Sequence, residues 1–228
     1  MRSTAPWPAA VVSALALLAR WPPSLLAGGA LSLLAACERP PLSPTFDAAA
    51  GDRADSGTLV VEGGQCTSTI QRHADEGFVH ISCTKPTDYQ TDPPSSGNHY
   101  SCWAAYQTYA APIPWGNLVH SLEHGAMVIV YNCPEGCDDD VASIQSFIDG
   151  LPLDEDCAPS LGRNRIILMP DPMLDVRFAA SAWTWTLRAD CFDPGAFRQF
   201  FNDHYDHGRE LICSNGWQPA QLCSDICP

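Results

Sequence analysis

The chain carries eleven cysteines among 228 residues, and their chemical state decides which folds are open to it. In a reducing compartment thiols accumulate as metal ligands or redox pairs. In an oxidising one they pair as disulfides and let a domain stand on a smaller core. No CxxC occurs, so the usual zinc-ribbon and thiol-oxidoreductase spacings are missing. The compartment has to be read from another part of the chain.

The N-terminus supplies it. Residues 1–36 contain no acid and two bases, Arg2 and Arg20, and an apolar run from Leu25 to Ala36 ends at Leu34-Ala35-Ala36-Cys37. A run of about a dozen apolar residues has signal-peptide length and falls short of the roughly 20 that a spanning helix needs. Small residues ending at a cysteine resemble the lipobox of bacterial lipoproteins. By that resemblance residues 1–36 are removed and Cys37 becomes the new N-terminus, bearing a diacylglycerol thioether and acyl chains such as palmitate. The alternative is an ordinary cleavable signal with a cysteine there by chance. Glu38, in place of Asp after Cys37, implies retention in the outer membrane, facing the periplasm. An earlier apolar stretch, Ala9 to Ala19, leaves open whether translation starts at Met1.

Cleavage would remove Arg2 and Arg20 but no acid, making an acidic chain more so. Twelve Lys plus Arg against 26 Asp plus Glu give a formal charge of −14, and Lys85 is the one lysine. Nucleic acids and anionic headgroups reward clustered cations, so neither is an expected partner, and membrane contact is expected through the lipid alone. A protein partner stays open. Residues 37–57, rich in Pro, Ala, Asp and Ser, cannot bury enough surface to order themselves and read as a flexible acidic tether. Residues 58–228 remain for one domain. With Cys37 lipidated, ten cysteines are left: Cys66, Cys83, Cys102, Cys133, Cys137, Cys157, Cys191, Cys213, Cys223 and Cys227. An even count outside the cytoplasm reads as structural disulfides of unassigned pairing, with Cys213, Cys223 and Cys227 tying down a coil-like tail.

Along the domain, Phe78–Cys83 alternates like a strand. Tyr100, Trp103, Tyr106 and Tyr109 recur every three residues and predict a helix ended by Pro112 and Pro114. Asn117 is placed to cap a helix over Leu118–His124, which Gly125 terminates before a strand over Ala126–Tyr131. Asp138, Asp139 and Asp140 suit the first turn of a helix reaching Asp149. Arg165–Met169 and Trp183–Leu187 read as strands, and Asp193-Pro194 opens a last helix. The expected class is α+β, helices packed on a small sheet in a single domain, with a strand and helix order that also suits a thioredoxin-like fold, here without its CxxC.

His120-Ser-Leu-Glu-His124 sets two imidazoles four residues apart on one helical face, with Glu123 beside both. Gly97-Asn-His99 offers a third imidazole from a tight loop. Three neutral nitrogen donors with a neighbouring carboxylate are what zinc or copper requires, so His99, His120 and His124 are the candidate ligands and Glu123 a fourth ligand or an anchor behind them. The HxxEH pattern also matches inverted zinc peptidases, in which Glu123 would activate a metal-bound water. Gly125 and the strand behind it cut that helix short, which weighs for a binding protein over a catalyst. A third alternative has the histidines fixing the loop as a structural or partner-binding module without metal. His204 and His207, three apart, read as helix-end surface residues, and Met127 and Met169 as packing rather than soft copper donors.

The stretch Pro93-Pro94-Ser-Ser-Gly97-Asn-His99, then Trp103 and Tyr109, then Val119-His120-Ser-Leu-Glu-His124-Gly125-Ala126 with its strand to Tyr131, resembles the bacterial domain of unknown function family 3105 (DUF3105). The likeness spans roughly residues 70 to 207, including Ala182-Trp183 and the helix from Asp193. It implies an exported or membrane-anchored protein, joint action of His99, His120 and His124, and a supporting role for His73 as a match to an upstream family histidine. The cysteines at 133, 137, 213, 223 and 227 stand outside the family pattern.

Overall fold

The computed structural model describes residues 58–61 and 66–223. The expected signal segment, Cys37, the tether and Cys227 lie outside the described residues. A six-stranded sheet runs in the order β1 (Thr58–Val61), β2 (Ser68–Arg72), β8 (Trp185–Ala189), β7 (Phe178–Ala182), β5 (Met127–Tyr131), β6 (Ile166–Pro170). Every neighbouring pair is antiparallel except β5 and β6, which run parallel. A parallel pair needs a crossover, and the segment between them supplies it with α2 (Asp138–Asp149) and α3 (Ala158–Leu161). After the β7–β8 hairpin the chain enters α4 (Pro194–His204). The class is α+β, as the order of elements predicts.

Both faces of the sheet are covered, which explains why β5 reads as a continuous apolar run rather than an alternating one. Met127 and Ile129 face a core closed by Ile144 and Phe147 of α2 and by Phe197, Phe200 and Phe201 of α4. Val128 and Val130 face the opposite core, where Leu118, Val119 and Leu122 of α1 (Trp115–Glu123) pack with Tyr106, Tyr109 and Trp183. The suborder β6-β5-β7-β8, one parallel pair beside an antiparallel hairpin, with α2 and α4 on one face, is that of a thioredoxin-like sheet. The opposite face is filled by α1, which comes from upstream in sequence.

The helix predicted over Tyr100–Tyr109 is not formed. That segment spends its backbone groups on neighbours: Tyr109 N–H donates to the Leu168 carbonyl, Leu168 N–H to that of Gln107, and Ala105 N–H to that of Trp217. The aromatic spacing records burial of Tyr106 and Tyr109 under α1 and the sheet, not helical periodicity. Asn117 is likewise no cap. Pro114 precedes the helix, and buried Asn117 donates from Nδ2 to the Cys102 carbonyl at 2.6 Å. Asp193 does cap its helix, accepting from the amides of Gly195 and Ala196.

Disulfides join Cys66 to Cys191, Cys83 to Cys223, Cys133 to Cys137 and Cys157 to Cys213, and Cys102 is also disulfide-bonded. Two of these bridges carry the tail, as expected of its cysteines.

A candidate metal centre

Two short elements and one helix build the site. β3 (His80–Ile81) and β4 (His99–Tyr100) form a parallel two-residue ladder that sets His80 opposite His99. The chain reaches β4 through Gly97, whose φ of +125° is a conformation that L side chains rarely adopt. From the other side, α1 is buried along almost its whole length despite its polar sequence, so its polar groups must find partners. Ser121 Oγ donates to backbone carbonyls and accepts the Ala104 amide at 3.2 Å. Gly125, at φ +82°, turns the chain out of the helix into β5.

These elements bring His80, His99 and His120 together, with ring centroids 4.6 to 4.9 Å apart. Glu123 Oε2 lies 3.0 Å from His99 Nε2 and 3.8 Å from His80 Nε2. One donor atom from each of His80, His99, His120 and Glu123 falls within 4.8 Å of all the others. Two ligands held at about 2.0 to 2.2 Å from one ion stand roughly 3 to 3.5 Å apart at ordinary bond angles, so the His99–Glu123 spacing already matches. The widest spacing has to close by about 1 Å, and His80, whose side chain is 51% exposed, is the member free to move.

Tautomers decide what the atoms can do. His99 Nδ1 lies 2.8 Å from the Gly97 carbonyl and His120 Nδ1 2.7 Å from the Tyr100 carbonyl. A carbonyl oxygen only accepts, so in both rings Nδ1 carries the hydrogen and the neutral ring presents a lone pair at Nε2. His120 is held neutral, with burial, then the neighbouring His124 and His99, lowering its pKa to about 2 against the opposing pull of the Tyr100 carbonyl. His99 is fully buried, and its Nε2 has no hydrogen-bond partner although the Glu123 oxygen is close, because the geometry does not suit one. His99 Nε2 and Glu123 Oε2 thus stand 3.0 Å apart without a hydrogen bond between them, and a lone pair beside a carboxylate in a buried setting calls for a proton or a metal ion to join them.

The cluster of convergent side chains differs in membership from the candidate residues read from the sequence. His124 follows the last helical turn and its ring touches that of His120, centroids 4.6 Å apart, but its Nε2 lies 3.6 Å from Glu210 Oε2, and it groups with Glu123 and Glu210 rather than with the other imidazoles' donor atoms. Burial above all lowers its pKa to about 4. Trp103 packs edge-on against His124, ring centroids 4.6 Å apart. His80 takes the third imidazole position in its place. His73 does not stand behind the cluster either. Just past the end of β2, its Nε2 pairs with Thr186 Oγ1 of β8 at 2.8 Å, away from the cluster. His204 stacks on Trp185 and His207 Nδ1 donates to the Asp203 carbonyl, so neither joins the site. Met169 Sδ accepts the Ile113 amide, a packing role as expected. Arg209 closes one side, with Nε 3.9 Å from Glu123 Oε1, Nη1 3.0 Å from Asp75 and its guanidinium over Phe78.

The fold and this cluster define a cystine-linked α+β domain presenting a three-imidazole, one-carboxylate donor set. A family model described as "Protein of unknown function (DUF3105)" matches residues 80–215, more than half of the chain, and the protein belongs to that family. The matched span opens on His80 and contains all four cluster residues. No curated protein and no solved structure shows significant similarity to the chain.

Proposed function

We propose that this protein is a lipid-anchored, extracytoplasmic binding protein for one transition-metal ion, zinc or copper(II), held by His80, His99 and His120 with Glu123 as fourth donor. The observation that carries the reading is the convergence of four donor atoms within 4.8 Å, among them the buried His99 Nε2, which has no hydrogen-bond partner and lies 3.0 Å from Glu123 Oε2. Backbone carbonyls orient the two inner rings in the way that outer partners orient metal-ligating histidines. Three nitrogens and one oxygen suit zinc and copper(II), while no thioether joins the donors to favour copper(I). The disulfides fit an oxidising compartment. Among the described residues no helix is long and apolar enough to cross a membrane, so the lipid on Cys37 would be the attachment to the outer membrane.

Storage or handling of the ion is favoured over catalysis, supported by Glu123 Oε2 standing among the imidazole nitrogens, 3.0 Å from His99 Nε2. The test is metal content of the exported, oxidised protein after stripping and reloading with Zn²⁺ or Cu²⁺. One ion per chain is expected, lost in His99→Ala and His120→Ala. No bound ion, or a stoichiometry unchanged by either substitution, overturns the assignment. A hydrolase reading predicts that Glu123→Gln keeps the metal and abolishes turnover on peptide or ester substrates. Loss of metal in Glu123→Gln supports the donor role.

A further inference from the structure

The second chemical feature lies at the other end of β5. Cys133-Pro-Glu-Gly-Cys137 forms the connection between β5 and α2, and its two cysteines are bonded to each other. In the β6-β5-β7-β8 order this is the turn between the first strand of the parallel pair and its crossover helix. The spacing is one residue wider than CxxC. Cys137 is the residue preceding the first turn of α2, with no side-chain cap on that turn's amides, so a thiolate released there meets unpaired N–H groups.

The other bridges are built differently. Those between described cysteines differ in span rather than in exposure: they cross 56 to 140 residues of sequence, with Cys157 fully buried, Cys66, Cys83, Cys191 and Cys213 partly exposed and Cys223 exposed. The 133–137 bridge closes a separation of 4. Both its cysteines are partly exposed, Pro134, Glu135 and Gly136 are exposed, and a Cβ on Gly136 would meet nothing within 4 Å. Opening it releases no distant segment. Around it stand Glu135, Asp138, Asp139 and Asp140, with Arg177 paired to Asp140 at 2.8 Å.

We infer that Cys133 and Cys137 form a dithiol–disulfide exchange site whose partners are thiols flanked by positive charge. A partner thiolate attacks one sulfur of the bridge, the Cys133–Cys137 bond breaks, a mixed disulfide forms, and the displaced thiolate takes up a proton. A second partner thiolate attacks the mixed disulfide and leaves the partner oxidised. Two electrons and two protons end on Cys133 and Cys137. The acidic surround concentrates cationic thiols and repels anionic ones. This activity stands apart from the metal centre, and its test is run with chelator present.

The oxidised full-length protein is exposed to cysteamine, a cationic thiol, or to 3-mercaptopropionate, an anionic one. Thiols are trapped by alkylation and located by peptide mass spectrometry. Expected is opening of Cys133–Cys137 while Cys66–Cys191, Cys83–Cys223 and Cys157–Cys213 stay closed, with a preference for cysteamine that falls about tenfold in Asp138→Asn/Asp139→Asn/Asp140→Asn. The triple variant's circular dichroism should match the parent's, so the change reads charge and not unfolding. Simultaneous opening of all bridges, or a preference untouched by the triple substitution, overturns the inference.

Discussion

Replacing Arg165 with Met should be among the most damaging single changes in this domain, although the residue lies outside the proposed donor set. Its side chain is fully buried. It donates to Asp206 and to the His124 carbonyl where α1 ends, and its Nε lies 3.6 Å from Asp154. Tyr205 Oη accepts the Arg165 amide and donates to Asp154. The Asp154 carboxyl is held below its ordinary range despite burial, by the Tyr205 hydroxyl, the amides of Cys157 and Ala158, and Arg165. Methionine fills much of the volume but leaves the 8% exposed Asp154 carboxylate with neutral donors and no opposite charge, and removing one partner of a buried pair costs about 3 to 5 kcal/mol. For a domain of this size that is a fall in Tm of roughly 6 to 20 °C. Thermal unfolding by circular dichroism in chelator measures it. Adding Asp154→Asn to Arg165→Met should restore at least about 1 kcal/mol, because the stranded charge is gone. A single-variant loss below about 1 kcal/mol, or no recovery in the double variant, would refute the buried-charge account.

Gly125→Ala should cost about 1 to 3 kcal/mol, read by urea unfolding, since its Cβ would lie 2.9 Å from Arg165 Nη1 at a φ of +82°. Opening Cys66–Cys191 by Ser substitution, a separation of 125 residues, should cost about 5 kcal/mol on chain-entropy grounds, against about 2 for Cys133–Cys137. Equal losses in calorimetry would contradict that ordering. The His204 pKa is lowered to about 4, chiefly by burial, so the fold favours the neutral ring. That stability is complete above pH 6.5 and drains away as pH falls towards 4, by about 1 to 2 kcal/mol after allowing for solvent at a partly exposed ring. His204→Gln should flatten this part of the pH–stability profile. His80→Ala should weaken metal affinity more than His124→Ala in competition titrations, and the reverse order would restore His124 to the ligand set.

Sequence patterns led to the core of the site but not to its full membership. His120 and Glu123 are legible because a helix puts i and i+3 side by side, and His99 because a glycine turn precedes it. His80 sits inside a segment read as a strand, yet what makes it a donor is a two-residue parallel ladder with residue 99, and no local signal announces so short a pairing across 19 positions. His124 does lie beside His120, as a spacing of four implies, with ring centroids 4.6 Å apart, but its Nε2 is directed to Glu210, a tail residue that no local pattern connects to it. In the sheet, β5 and β6 announce themselves by apolar β-branched runs. Strand β7, Phe-Ala-Ala-Ser-Ala, does not, because alanine and serine have poor strand propensity. It is a central strand with all five residues buried, where small side chains let layers approach from both faces. The six-stranded order, with its thioredoxin-like part, depends on this strand.

The tail has a consequence for the timing of assembly. Asp206 N–H bonds the Gly125 carbonyl, Glu210 N–H bonds that of Glu123, and bridges from Cys157 and Cys83 hold Cys213 and Cys223. A chain crossing a membrane amino end first delivers its imidazoles well before the strap that clasps their helix. On the proposed reading, completion of the donor set would wait on residues 206–223 and on the oxidant that sews them down, so an ion offered early would meet an unfinished cradle.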